Sequence, residues 1–285
     1  MKKYLLLAIA MPVFALQTET IHSSLATYYE SKNYTNSLQK ESAQVYGIGA
    51  DIHIAHHKYK AAFESTYAIT KKPPLDKNLK NNKIFLRYGY TYNNFLELHC
   101  NYLQVLHDNI AITSGGYAYG GGVVFVPHQT LTLQLNHYIT KYDPFRVYQT
   151  DVRLDYATIF YGIKTTLSSL NKYISIDDIY TNSFTKNAHK EYFTSGIKLH
   201  LHYKSYHLGG GAYFGKRAFA IMNDGFKIQH HAMEIHKNYA LGIGKSFAKQ
   251  YIFRLQYIYA KAKELPMQHN NVTINSVRFL LNYKV

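Results

Sequence analysis

The sequence predicts an all-β fold, namely a transmembrane antiparallel up-and-down β-barrel of about 14 strands, with 12 strands as the alternative. Three observations predict it: apolar and polar residues alternate along most of the chain, the apolar faces are almost free of charge, and short connections alternate with long ones. Composition agrees, because the chain has 29 Tyr and 15 Phe but no Trp. Tyrosine suits a pleated surface and a membrane interface equally well.

The chain divides into a signal peptide at residues 1–15 and a barrel at residues 16–285. Lys2 and Lys3 precede a short apolar run, and Val13-Phe14-Ala15 offers a small-residue cleavage site. A buried N-terminal strand is the alternative. A membrane anchor is disfavoured because the run is too short to span a bilayer as a helix.

Alternation with a period of two residues marks the strands. In the segment 46–54, Tyr46 and Ile48 belong to the apolar face, and Asp51 and His53 belong to the polar face. The segments 84–92, 96–102, 197–203 and 251–259 repeat this pattern. Such a pattern also fits a soluble β-sandwich, but a charge facing lipid at the bilayer midplane costs about 2–4 kcal/mol, and these faces carry none. Lys237 is an exception in a further strand, where it can snorkel to the headgroups at the outer end.

Connections of two lengths indicate the two ends of a membrane barrel, since such barrels have short turns on the periplasmic side and longer loops outside. Short turns are predicted near 57–60, 93–95, 126–129, 204–205 and 245–250. Longer connections are predicted near 34–41, 71–83, 107–114, 141–148, 168–192, 222–231 and 261–272. The strand count depends on an unclear turn near Ala157.

The short turns also predict cross-strand pairs, because like faces must match across a hairpin. The predicted pairs are His53 with Glu64, Thr91 with Glu97, Gly89 with His99, Arg87 with Asn101, and His202 with His207.

The last ten residues, 276–285, form an alternating strand with Val277, Phe279, Leu281 and Tyr283 on one face. This tail resembles the terminal strand of bacterial outer-membrane β-barrels, which have apolar residues at every second position and an aromatic or apolar last residue. Val285 departs from the family, which most often ends in Phe. The resemblance implies an outer-membrane location, contact with outer-membrane lipids and lipopolysaccharide, and recognition by the barrel insertion machinery. The strand should close the barrel against the first strand, near residues 22–31.

The resemblance implies a porin-like channel for passive diffusion of small hydrophilic solutes or ions. A closed, surface-exposed barrel with a structural role, or one that binds a ligand or metal, is the alternative. The polar faces supply the predicted lumen lining, which is either a salt-bridged wall or a selectivity lining. Its members are Asp51, His53, Glu64, Arg87, Glu97, His99, Arg153, Asp155, Lys198, His200, His202, His207, Glu234, His236, Arg254 and Arg278.

No cofactor, metal or catalytic group is predicted. His200, His202 and His207 are weak candidates for a metal site, because they share one face of a hairpin, but polar lumen residues are the simpler interpretation. An outer-membrane hydrolase is less favoured. Outer-membrane phospholipases carry a His followed by Ser-Asn, and His107-Asp108-Asn109 lacks the serine nucleophile.

The formal net charge is +15, and it is near +13 without the two lysines of residues 1–15. For an exported chain this charge favours anionic lipid headgroups, lipopolysaccharide phosphates or anionic solutes over nucleic acid. Since the lysines are scattered among the loops, solvated loop charge is the simpler explanation. Cys100 is the only cysteine, so no intramolecular disulfide forms.

The segment 215–231 is unusually apolar for an outer loop, with Phe219, Ile221, Phe226 and Ile228 among its residues. Two tall strands joined at Asn223-Asp224-Gly225 are the favoured interpretation. The alternative is a segment that folds inward and constricts the lumen.

Overall fold

The computed structural model describes residues 21–72, 75–108, 113–178, 185, 187–248 and 250–285. The predicted signal peptide lies outside these residues, and so does Asn109 of the His107-Asp108-Asn109 segment. None of the helical segments in the described residues has the length and apolar character needed to cross a membrane.

Fourteen antiparallel strands close into a barrel, in which each strand pairs with the next along the chain and the last pairs with the first. This confirms the predicted fold and the count of 14, and the alternative of 12 is wrong. The barrel strands are β1 (Ile21–Thr35), β2 (Lys40–Ile54), β3 (His57–Thr70), β4 (Leu79–Asn93), β5 (Leu96–Asp108), β6 (Tyr117–His128), β7 (Leu131–Lys141), β8 (Arg146–Phe160), β9 (Ile163–Asp177), β10 (Glu191–Tyr203), β11 (Tyr206–Arg217), β14 (Met233–Phe247), β15 (Tyr251–Glu264) and β16 (His269–Lys284). Two short strands, β12 (Ile221–Met222) and β13 (Lys227–Ile228), form a separate sheet.

The barrel closes where the terminal strand predicts. β16 pairs with β1 from Ser24 opposite Lys284 to Thr35 opposite Thr273. Phe279 is 43% exposed on the outer surface, whereas the neighbouring Arg278 points inward to a buried Glu30. Among the described residues, closure leaves no unpaired strand edge in the barrel wall, which is the condition for a sheet to reside in lipid.

The two ends of the barrel differ as predicted. One end has turns of two or three residues, whereas most connections at the other end are longer, up to the connection 218–232. We call these the turn end and the loop end. Several strands extend into the predicted loops: β9 continues to Asp177, β15 ends at Glu264, and β16 begins at His269. Their polar residues were interpreted as loop because they lack the apolar alternation of the membrane belt.

Two turns lie elsewhere than predicted. The β2–β3 turn is at 55–56, where Ala55 adopts a φ of 50°, so His53 pairs with Lys58 and the predicted pair of His53 with Glu64 is wrong. The β8–β9 turn is at Tyr161 and Gly162, both with positive φ, whereas Ala157 lies within β8. Positive φ at both central residues matches the right-handed twist of the strands. Alanine and tyrosine give no sequence signal for such a turn.

The other predicted cross-strand pairs are confirmed. Thr91 lies opposite Glu97, and Arg87 lies opposite Asn101. His202 lies opposite His207. Gly89 lies opposite His99, as the turn at 94–95 requires. These pairs fix which side chains share the lumen face of neighbouring strands.

The outer surface carries the predicted apolar belt, because outward residues of the strands alternate with inward ones. Exposed large apolar side chains occur on every barrel strand, among them Leu25, Ile48, Leu86, Leu133, Leu199, Leu241 and Leu255. Soluble monomers rarely expose a contiguous apolar surface of this extent, whereas a bilayer covers it. Lys237 is exposed near the loop end of β14, where its ammonium can reach the headgroups as predicted.

Candidate functional site

The connection between β11 and β14 folds into the lumen. We call residues 218–232 the inward hairpin. It contains β12, β13 and a single 3₁₀ turn at Asn223–Gly225, where all three residues have positive φ. The turn lies where the sequence predicts it. The favoured interpretation of two tall strands is wrong, because β12 and β13 pair with each other and do not extend the barrel wall.

Apolar contacts fix the inward hairpin against one side of the wall. Phe219 and Ile221 are almost fully buried, and the Phe219 ring lies 4.9 Å from that of Phe145 and 6.1 Å from that of Tyr142. On the far side of the turn, the Phe226 ring stacks on Phe85 at 6.3 Å. Each fully buried large apolar side chain contributes roughly 1.5–3 kcal/mol. The apolar residues that are unusual for an outer loop therefore explain why the segment enters the barrel.

Polar contacts also hold the inward hairpin in a defined orientation against the wall. The buried Gln149 of β8 accepts a hydrogen bond from the backbone N–H of Ile221 at 2.8 Å and donates one to its carbonyl at 2.7 Å. This two-point contact lets the Gln149 side chain act as a further strand partner for β12. At the turn, the Asp224 carboxylate lies 3.0 Å from Nη1 of Arg153. The hairpin is thus held to β8 at two levels of the lumen.

The opposite side of the hairpin faces a network of charges. Nζ of Lys227 lies 3.5 Å from Glu30, and Glu30 also contacts Arg278 at 2.6 Å and Lys32 at 3.5 Å. Glu30 is 1% exposed, so these cations offset the cost of burying its charge.

A second buried carboxylate, Glu64, neighbours this network. It accepts hydrogen bonds from Lys83 at 2.6 Å and from the Tyr28 hydroxyl at 2.5 Å. β1, β3, β4 and β16 therefore each contribute a charged or polar side chain to the wall that faces Lys227.

Lys227 titrates near neutral pH. Burial lowers the pKa of its ammonium to about 7, and the positive charges of Lys32 and Arg278 act in the same direction. The carboxylates of Glu30 and Glu64 oppose the decrease. Burial also holds the pKa of His231 well below its usual range, with Lys40 contributing. Both groups belong to the inward hairpin. Of the two, only Lys227 changes its charge between neutral and mildly acidic pH.

Two cavities flank the hairpin on its charged side. The loop-side cavity has a volume of about 420 Å³ and reaches from Lys32 and Lys40 down to Arg278. The turn-side cavity has a volume of about 400 Å³ and reaches from Asn223 and Arg278 to Asp51 near the turn end. Both are lined by Asn223, Lys227, Arg278 and Leu280, so they adjoin beside the turn of the inward hairpin.

Glycines opposite inward tyrosines keep this space open. The Tyr28 ring lies on Gly47, its direct cross-strand partner, where a Cβ atom would come within 2.1 Å of the ring. Tyr213 lies in the same way on Gly196, at 2.4 Å. Because glycine has no side chain, each ring can lie against the wall and not across the lumen.

Most of the predicted lumen residues lie on the inner face, where they form local pairs. Asp51 contacts His53 at 2.8 Å and Lys60 at 2.6 Å. The other close contacts are Arg87 with Glu97 at 3.2 Å, Arg153 with Asp155 at 2.8 Å, His99 with Asn136 at 2.7 Å, and Arg278 with Glu30. Lys198 and Glu64 line the loop-side cavity.

The histidine cluster lies at the turn end. The His202 ring stacks on His207 at 4.2 Å, and His200 stacks on the same ring at 5.8 Å. Nε2 of His207 is 2.9 Å from the Ser246 hydroxyl. Among the described residues, no group of three or more His, Cys, Asp or Glu side chains is placed to hold a metal ion.

Glu234 and His236 occupy a different position from the other predicted lumen residues. The register of β14 shifts between Ile235 and Lys237, and Met233 and Ile235 line the loop-side cavity instead. Glu234 accepts a hydrogen bond from His236 at 2.8 Å and lies 3.5 Å from Lys216. A bulge reverses the alternation of side chains, and no residue of this segment signals it in the sequence.

The prediction omitted several residues that form the narrow part of the lumen. Lys227 and Asp224 lie in a segment interpreted as outer strands, so their inward position had no signal beyond the apolar residues around them. Glu30 could have been found, since Tyr28, Glu30 and Lys32 follow one another at alternate positions of β1. Gln149 could not, because its importance depends on the hairpin that it binds.

No model of a known protein family matches the chain, and no curated protein is recognisably similar in sequence. Solved structures do match. The chain is similar to a bacterial polysaccharide outer membrane secretin, with a TM-score of 0.57 and 10% identity over 92% of this chain and 98% of that one. It is similar to the NanC porin, with a TM-score of 0.51 and 10% identity over 91% and 100% of the two chains.

A third match is the outer membrane protein Omp33 of Acinetobacter baumannii, with a TM-score of 0.50 and 7% identity over 93% of this chain and 99% of that one. The chain folds as an outer-membrane β-barrel. At these identities the likeness concerns the fold, and the side chains that line the lumen of this barrel are its own.

Proposed function

We propose that this barrel is a porin-like channel in the bacterial outer membrane that lets small hydrophilic solutes or ions diffuse passively. The observation that carries the proposal is the pair of adjoining cavities beside the inward hairpin. Together they follow the lumen from the loop end towards the turn end, and charged side chains line both of them. A path lined by charged side chains suits hydrated solutes and ions.

The inward hairpin sets the width of this path. Its apolar residues pack on the β4–β9 side, which leaves the β1–β3 and β14–β16 side for passage. A loop fixed at several points narrows the lumen, and it brings the charges of Lys227 and Asp224 to the cavities beside it. This arrangement is typical of a selective pore and has no use in a barrel that serves only as a membrane scaffold.

The proposal includes the surroundings of the barrel but assigns no catalytic residue. The apolar belt supports contact with outer-membrane lipids, and the basic residues at the loop end suit lipopolysaccharide phosphates. The alternating terminal strand suits recognition by the barrel insertion machinery. Refolding in vesicles with and without lipopolysaccharide tests the lipid contact, and equal refolding yields would count against it.

Single-channel recording of the purified protein in a planar bilayer tests the proposal. We expect discrete current steps, on the order of hundreds of picosiemens in molar potassium chloride, for a path of this width. A silent bilayer with correctly folded protein would overturn the channel proposal in favour of a closed barrel. Heat-modifiable migration on a gel verifies folding beforehand.

A pair of cysteine variants locates the path. In a Cys100→Ser background, Ser276→Cys places a thiol in the loop-side cavity, whereas Val277→Cys places one on the outer surface. A charged, water-soluble thiol reagent should reduce the current of the first variant and leave the second unchanged. Equal responses would show that the current does not pass through this lumen.

A further inference from the structure

The loop-side cavity has a strong excess of positive charge. Seven basic and two acidic side chains line it, an excess of five charges when Lys227 is protonated. The two carboxylates, Glu30 and Glu64, already have partners: Glu30 pairs with Arg278, Lys32 and Lys227, and Glu64 pairs with Lys83. Arg217 and Lys198 also line the cavity, and neither forms an ion pair with these two carboxylates.

Arg217 is the stronger indication of an anion site. Its side chain is 1% exposed, and its Nε donates a hydrogen bond to Gln229 at 3.2 Å. Its Nη1 is buried and has no hydrogen-bond partner, and no carboxylate among the described residues is within ion-pair distance. A buried guanidinium without an anion is costly, and a carboxylate or phosphate oxygen is its ordinary acceptor.

Lys198 lies beside Arg217 over a shared aromatic ring. The Lys198 ammonium is 5.8 Å from the centre of the Tyr213 ring, and the Arg217 guanidinium is 5.3 Å from the same centre. Tyr213 is fixed in place, since its ring lies on Gly196. All three side chains line the loop-side cavity, so two cations that form no ion pair with a carboxylate of the described residues lie together at its edge.

We propose that Arg217 and Lys198 form a binding site for small anions in the loop-side cavity, so that the pore selects anionic solutes, carboxylates in particular, over cations. This inference rests on the proposed channel function and names its substrate class. An entering carboxylate would accept a hydrogen bond from Nη1 of Arg217. It would thereby offset the free-energy cost of burying this guanidinium without an anion. The turn-side cavity continues the preference, because four basic and two acidic side chains line it.

The size of the effect follows from Coulomb's law. In a water-filled cavity, one unit charge about 5 Å from an ion changes the occupancy of the site by roughly fourfold. Removing either cation should therefore lower the preference for anions by about two- to fourfold, and removing both should lower it by roughly 4- to 16-fold.

Reversal potentials in a gradient of potassium chloride test the proposal. The wild-type pore should be selective for chloride over potassium, and Arg217→Gln and Lys198→Gln should each decrease that ratio by about two- to fourfold. Lys245→Gln removes the same charge beside the outward Tyr206 ring, outside the lumen, and should leave the ratio unchanged. Gluconate added to the loop end should reduce the chloride current of the wild type more than that of Lys198→Gln.

The outcomes separate the two proposals. A silent wild-type channel overturns the channel function itself. An open channel that conducts potassium as well as chloride overturns only the anion site, and so do equal ratios in the wild type and Lys198→Gln. Lys198 is not fully buried, so this variant keeps the test decisive even if Arg217→Gln fails to fold.

Discussion

Gln149 holds the inward hairpin in place, and Gln149→Ala should release it. The side chain makes two hydrogen bonds to the backbone of Ile221, at 2.8 and 2.7 Å, and each contributes about 1 kcal/mol net. If the hairpin stayed docked in the variant, the N–H and carbonyl groups of Ile221 would lose their partner in a buried position. The docked state should therefore lose roughly 2–5 kcal/mol.

This loss changes the docking equilibrium by roughly 30- to 4000-fold, since 1.4 kcal/mol corresponds to a factor of ten. The apolar contacts of Phe219 and the ion pair of Asp224 remain, so the variant should alternate between docked and released states. The backbone ladder of the barrel wall should be unaffected, because the only wall contact that the variant loses among the described residues is the 2.8 Å hydrogen bond from the Gln149 side chain to Asp151.

The released state should conduct more. Fourteen strands spaced about 4.8 Å apart and tilted by about 40° form a cylinder of roughly 14 Å radius. A side-chain layer of about 5 Å leaves an area of roughly 250 Å², of which a two-stranded ribbon fills about 100 Å². Release of the hairpin should therefore raise the conductance roughly 1.7-fold.

Single-channel recording distinguishes this effect from general damage. Gln149→Ala should show excursions to the higher level, with more noise in the open state than the wild type. Gln134→Ala removes a buried glutamine of β7 that bonds to Asn136 and not to the hairpin, so it should behave like the wild type. Identical traces for Gln149→Ala and the wild type would refute the reasoning, and so would equal excursions in both variants.

Three further predictions concern the narrow part of the lumen. Glu30→Gln leaves three cations without their shared carboxylate, so the free energy of unfolding in vesicles should decrease by roughly 3–5 kcal/mol; an unchanged urea midpoint would contradict this. Because burial lowers the pKa of Lys227 to about 7, its charge appears as the pH falls, and chloride selectivity should rise from about pH 8 to about pH 6. Lys227→Arg, which stays protonated, should remove this pH dependence. A pH dependence that persists in the variant would show that another group causes it. Gly196→Ala should push the Tyr213 ring into the loop-side cavity and decrease conductance, whereas Gly209→Ala, with its nearest atom at 3.7 Å, should not.

The faces of the strands could be predicted from the sequence, since each side chain in a strand points opposite to its neighbour. This rule placed Arg87 opposite Asn101 and Arg278 inside the barrel, as the structure has them. It failed where the backbone departs from regular alternation. The bulge of β14 moved Glu234 and His236, and the tight turn at Ala55 changed the partner of His53.

The sequence by itself determined the closed barrel, because alternation, uncharged outer faces and unequal connections are local properties that lipid and water impose on each strand separately. The path through the barrel was decided only in the tertiary structure. Whether residues 218–232 extend the wall or enter the lumen depends on Phe145, Gln149 and Phe85, which lie far away in the chain. Likewise, the role of Arg217 depends on the tertiary structure, which sets Lys198 and Tyr213 beside it and brings no carboxylate of the described residues within ion-pair distance.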